Sequence, residues 1–306
     1  MADVATAIEW DDETFERVLE RLSTGGTIDA AGVRISPERL ASILQAARRD
    51  PDHEGRPMFR DADFSGATFE GDAHFDGAQF SGYARFGGAQ FSGYARFVGA
   101  QFSGDAWFTR AQFSGEASFG GAQFSGDASF GGARFFGYAR FNRAQFYGEA
   151  RFVGAQFSGD ALFGRAQFSG YARFGQAQFS GDALFGRAQF SGDAWFDGAQ
   201  FSRNAGFGGA QFSGETIFRR RAVLQGRQLR RGAILRRRAV RRGAVRRSTV
   251  LRRRPVRPGA VLRRRQLRRG AVLRRRPVRP GAVLRRHQLR RGAVLRRGLL
   301  QRGGFP

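Results

Sequence analysis

Residues 111–121 read Ala111-Gln112-Phe113-Ser114-Gly115-Glu116-Ala117-Ser118-Phe119-Gly120-Gly121, and residues 122–132 repeat them with one exchange, Asp127 for Glu116. Phe keeps this cadence of five- and six-residue steps from Phe59 to Phe218, through 30 successive Phe, nearly all preceded two residues earlier by Ala. An α-helix is excluded, because such steps set successive rings roughly 140° and 240° apart and leave no apolar stripe. In extended backbone, residues i and i+2 share a side, so Ala117 and Phe119 face inward while Ser118 faces water. Ser-Gly-Xaa turns alternate with two-residue turns such as Gly120-Gly121, giving short faces joined by corners.

Such a chain can only coil, each face stacking on the one a full turn earlier, about 4.8 Å away. Four faces per coil make two 11-residue periods, or 22 residues, and thirty faces then give a rod of roughly 36 Å. A flatter solenoid, with a single period per coil, is the competing geometry. Each buried Phe contributes roughly 1.5–3 kcal/mol, and Ala at the other inward position leaves room for four rings near the axis.

Upstream, residues 1–58 predict a small helical domain plus linker. Asp11 or Asp12 caps a helix whose Phe15, Val18, Leu19 and Leu22 share one face before Gly25 and Gly26. Ser36 caps a second, with Pro37 at its first position, Leu40, Ile43, Leu44 and Ala47 on its apolar face, and Arg48 and Arg49 complementing its dipole. About 55 residues make a thin core, so the pair is expected to dock on the repeat. Asp50 to Pro57 reads as a short linker.

The 306 residues include no Cys, which excludes disulfides and thiolate chemistry, and no apolar run nears the ~20 residues of a membrane span. The acidic N-terminus lacks the basic and apolar regions of a signal peptide, so a cytoplasmic protein is expected. His53 lies in the linker, His74 points outward and His287 is in the tail, so no catalytic or metal grouping forms. Accordingly the chain is expected not to be an enzyme, with no catalytic residues, cofactor or metal site. Serines such as Ser81, Ser92 and Ser103 belong to turns.

The units Ala-Gln-Phe-Ser-Gly, Ala-Arg-Phe-Gly-Gly and Ala62-Asp63-Phe64-Ser65-Gly66 resemble the pentapeptide-repeat family, over about 160 of the 306 residues. That resemblance implies a mainly β fold, a right-handed quadrilateral β-helix. The six-residue units, such as Ala78 to Tyr83, depart from the family pattern and leave the square section open. The family includes members that bind DNA gyrase by mimicking DNA, and that is one functional alternative. It requires a strongly negative surface, whereas residues 59–218 sum to −2, with Arg85, Arg96, Arg140, Arg151 and Arg173 among the acids. The leading expectation is a scaffold for an unidentified protein partner, with the blunt rod ends as a candidate homodimer contact.

At two periods per coil, Asp105, Asp127, Glu149, Tyr171, Asp193 and Glu215 form one outward column, and Tyr94, Glu116, Tyr138, Asp160 and Asp182 another. Stacked carboxylates are candidate cation ligands, but corner residues solvating a rod, relieved by neighbouring Arg, are the stronger reading. Trp107 and Trp195, four such coils apart, fall on one face, where they mark a contact surface or are surface scatter.

Residues 219–306 carry 33 Arg and no acid, and the whole chain has no Lys. Read as chemistry, this tail is disordered and attaches non-specifically to nucleic acid or another polyanion. Yet the period survives: Val223, Leu229, Ile234, Val240 and Val245 continue the steps of Phe218. Written with GC-rich codons, Arg265 to Arg274 is CGC CAG CTT CGG CGG GGC GCA GTT CTC CGG. Displaced by one base it encodes residues 117–126. The tail is therefore expected to be repeat DNA translated out of frame, with the rod ending near Phe218. Were it to continue the coil, guanidinium groups such as that of Arg265 would be buried without partners.

Overall fold

The computed structural model describes residues 8–48 and 55–217, together with the backbone of Ile234–Leu235. Between Phe59 and Phe212 the chain is a parallel β-solenoid of about seven turns, each turn built from four two-residue strands. The strands stack into four ladders of nine, seven, nine and eight members. Ala117 pairs with Ala139 and Phe102 with Phe124, each two repeat periods on, which excludes the single-period coil. Each step is held by backbone bonds such as Phe119 N–H to Arg140 C=O at 2.7 Å. The six-residue units fit a four-sided coil because their additional residue is taken up at the Ser-Gly-Xaa corners, between ladders rather than within them.

Alternation of inward and outward side chains follows the Ala-Xaa-Phe reading. All 29 Phe from Phe59 to Phe212 in the cadence are buried, none more than 5 % exposed, and the paired Ala with them. The rings form four columns. Within a column successive rings stack nearly parallel, as Phe124 on Phe146 at 4.8 Å and 1°, while columns from opposite faces meet edge to face across the axis, as Phe119 and Phe130 at 5.2 Å and 83°. Both are favoured aromatic geometries, so the core gains contact energy beyond area burial.

Helix α1 spans Asp12–Ser23, its N-cap Asp11 accepting from Thr14 N–H, and helix α2 spans Pro37–Ala46 under the Ser36 cap. Arg48 lies just beyond α2, and Arg49 lies outside the described residues. Between the helices run two strands that the Gly-rich sequence did not suggest, β1 (Ile28–Asp29) and β2 (Arg34–Ile35). They pair with Ala62–Asp63 and Thr68–Phe69, so β1, β2 and the strand Met58–Phe59 make an incomplete first coil, with α2 between β2 and Met58–Phe59 in chain order. The step from Ile28 to Ala62 exceeds that of an ordinary coil, such as Ala62 to Ala84, by the length of a short helix and its connections. Val18, Leu22, Leu40, Ile43 and Leu44 share one buried cluster with the Phe columns, so the N-terminal helices dock on the solenoid.

Phe218, the Asp50–Glu54 part of the linker, His53, His287 and the tail expectations lie outside the described residues, apart from one backbone pairing. Ile234–Leu235 adds a strand to the ladder of Gln211–Phe212.

Candidate functional site: outward ladders and aromatic clusters

The described surface is a set of columns, because the two-period register places each residue over its equivalent in the next coil. The acidic corner columns are structural first. Asp105 Oδ1 accepts the backbone N–H of Asp127 at 2.9 Å, and Asp127 Oδ1 accepts that of Glu149 at 2.9 Å. Asp160, Asp182 and Asp193 repeat the bond to Asp182, Asn204 and Glu215. One carboxylate oxygen thus satisfies a corner amide that the β ladder leaves free. Hydrogen bonding from the Asn204 side chain and backbone holds the Asp182 carboxyl below its usual range.

The remaining charge is met by Arg nearby on the outward face. Arg96 reaches Asp76 at 2.8 Å, Arg140 reaches Glu116 at 2.6 Å, and Arg151 reaches Glu149 at 2.7 Å and Asp127 at 3.2 Å. The hydrogen bond to Glu149 raises the Arg151 pKa above the ordinary arginine value. Among the described residues no group of three or more His, Asp or Glu is arranged to hold a metal ion. His74 stands outward, 3.9 Å from Asp72.

Trp107 and Trp195 do share one ladder, opposite Arg85 and Arg173 respectively. Each belongs to a three-residue cluster. Tyr83 stacks on Trp107 at 5.5 Å, and the Arg85 guanidinium lies 5.2 Å from one ring and 5.4 Å from the other. Four coils on, Tyr171 meets Trp195 at 6.0 Å, with Arg173 at 5.9 and 4.8 Å. Between the two lie Ser129 and Arg151 with its acidic partners. Tyr94 and Tyr138 on the second corner column, and Phe136 on the serine column across the glycine row, are about half exposed along a groove floored by glycine.

A family model described as pentapeptide repeats (9 copies) matches residues 56–101, 97–145, 141–189 and 174–220, more than half of the chain. The chain belongs to the pentapeptide-repeat family. It matches no curated protein and no solved structure.

In this pentapeptide-repeat solenoid the sequence located the columns but not the pairings across them. Tyr83 and Trp107 are separated by one coil plus two positions, and that spacing was the available signal. Phe136 was missed because it sits where the adjacent coils carry Ser114 and Ser158, a turn position with no apolar pattern to betray it. No described helix is long and apolar enough to cross a membrane.

Proposed function

We propose that this pentapeptide-repeat solenoid is a non-enzymatic scaffold that binds a protein partner through the ladder carrying Trp107 and Trp195. The observation that carries this reading is the duplication of the Tyr-Arg-Trp cluster on one flat face, about 19 Å apart at four strand spacings. Trp, Tyr and Arg are the residues that dominate protein interface energetics, and the stacked guanidinium holds each ring in place before a partner arrives. Ser129 occupies the same column in an intervening coil, so Trp107→Ser and Trp195→Ser suit the fold. Proteins crosslinked to the full-length wild type in cells should be lost from the double variant. An unchanged set of partners would overturn the reading.

Two alternatives have distinct signatures. Gyrase binding by DNA mimicry needs an acidic surface, and pairing of outward acids with Arg85, Arg96, Arg140, Arg151 and Arg173 weighs against it. Supercoiling assays test it. Polyanion binding through residues 219–306 would be steeply salt-dependent and would vanish on removal of the tail, whereas a partner of the rod would be retained.

For the tail itself, we infer translation of repeat DNA in a shifted frame. Val223, Leu229, Ile234, Val240 and Val245 keep the five- and six-residue steps of Phe218, as Phe codons displaced by one inserted base would. That cadence supports one inserted base, or an equivalent two-base loss, near codons 219–221.

A further inference from the structure

The groove on the second corner column has a volume of about 810 Å³. Its floor is the glycine row from Gly93 to Gly181, five coils, and it closes at Arg203, which stands where the next glycine of the row would be. A Cβ on Gly115, Gly137 or Gly159 would meet the backbone of the coil below at under 3 Å, so the row is bare of side chains for a structural reason. The result is a flat trough about 19 Å long at ~4.8 Å per coil.

Along its wall the corner residues alternate: Asp72, Tyr94, Glu116, Tyr138, Asp160. The two tyrosines are therefore two coils apart, about 10 Å. Tyr94 and Phe136 are each 51 % exposed and Tyr138 is 45 % exposed. Tyr94 and Phe136 make no ring contact among the described residues, while Arg140 packs on the Tyr138 ring at 5.6 Å. Ser158 and Ser180 line the same trough.

The carboxylates are not a cation trap. Glu116 is neutralised by Arg140, and Asp72 and Asp160 each spend one oxygen on the next coil's N–H at 2.8 Å, with Arg203 at the end of the row. Their free oxygens remain hydrogen-bond acceptors. A basic peptide would find little net charge. An extended peptide would also repeat every two residues at about 6.7 Å, out of step with rings about 10 Å apart. The chemistry that fits is a neutral chain with a flat apolar face and hydroxyl groups at its edges, repeating every two units over two coils.

We propose that this groove binds a β-1,4-linked glycan laid along the solenoid axis. Every second sugar stacks its C–H face on Tyr94 or Tyr138, Phe136 flanks the chain, and intervening hydroxyls donate to Glu116 and Asp160. In such a chain each sugar advances by close to one coil and is turned over relative to the last, which gives the period of two that the wall displays. Glucose and N-acetylglucosamine chains share this linkage geometry.

Calorimetric titration of the full-length protein with cellohexaose and with chitohexaose tests the proposal, with the α-linked maltohexaose as control. Neutral sugars leave the Arg-rich tail without electrostatic influence. Phe136→Ser and Tyr138→Asn introduce residues already present in these two columns, at Ser114 and Asn204, so the fold is retained and circular dichroism melting checks it. The expected result is binding of at least one β-linked hexamer, no comparable binding of maltohexaose, and at least tenfold weaker affinity in the double variant at unchanged melting temperature. Failure of both β-linked hexamers to bind, equal binding of maltohexaose, or affinity unaffected by the two substitutions would overturn it.

Discussion

Phe119 lies on Phe141, its equivalent in the next coil, with ring centroids 4.9 Å apart and planes 3° from parallel. That one relationship, repeated in four columns, joins coil to coil, and it sets the cost of interrupting a column. Phe130→Ala, in the middle of the rod, should destabilise by about 3–5 kcal/mol, because the cavity lies between stacked rings that the backbone ladders hold in place. Phe136→Ser, on the outside, should be within about 0.5 kcal/mol of wild type. Chemical denaturation of both variants checks the contrast.

Glycines of the two turn types differ in what a side chain would meet. A Cβ on Gly126 would stand 2.6 Å from the carbonyl carbon of Gly104, while one on Gly120 would meet nothing nearer than 3.7 Å. Gly126→Ala should therefore cost on the order of 1–3 kcal/mol through forced separation of coils, and Gly120→Ala should be neutral or slightly stabilising. Melting temperatures of the pair decide it.

Among the described residues, five corners place a residue other than glycine at positive φ, including Arg143, Arg165 and Arg187 at φ 58–59° in consecutive coils. Glycine fills the same corner slot at Gly121 and Gly209. Arg165→Gly should stabilise the protein by about 1 kcal/mol, since it relieves left-handed backbone strain and removes a positive charge from between Arg143 and Arg187 in the column. A lower melting temperature would mean that the guanidinium makes a stabilising contact.

Acid stability has a definite sign. Hydrogen bonds hold the carboxyls of Asp11, Glu38 and Asp182 below their usual range, the donors being Thr14, Ser36 and Asn204. Their contribution is present above the unfolded pKa, near the ordinary carboxylate values of 3.8 and 4.5, and is lost as pH falls through the lower folded values. Melting temperature should hold from neutrality to about that range and decline below it, with a shallower decline in Asp182→Asn. A melting temperature that rises on acidification would contradict the assignment.

Genomic sequence tests the origin of the tail. Displacement by one base beyond codon 221 should restore Phe units at the five- and six-residue cadence. If no displaced frame does so, the arginines are genuine and the polyanion reading gains.

The solenoid was legible because Phe119 and its equivalents are large, identical and evenly spaced, so one physical demand, burial on an extended backbone, is written thirty times. Coil size was not legible from periodicity, since the same period fits a coil of one period or of two. Only the backbone pairing of Ala117 with Ala139 separates them. Strands β1 and β2 were hidden because two residues carry no period: Ile28 and Ile35 look like isolated apolar residues in a glycine-rich connection. The carboxylate columns were placed correctly, but the chemistry of Asp105 depends on the next coil's amide, that of Asp127, a partner that composition cannot reveal. Phe136 and the glycan groove became visible only when the turns were stacked.

The chain has no native cysteine, which permits a direct test of the two-period register. Ser118 and Arg140 are Cα partners in adjacent coils, within the separation a disulfide bridges, whereas Ser118 and Ser129, one period apart, lie on different ladders. Under mild oxidation Ser118→Cys with Arg140→Cys should close an intramolecular disulfide, and Ser118→Cys with Ser129→Cys should remain reduced. Crosslinking of the second pair and not the first would contradict the four-sided coil on which the account rests.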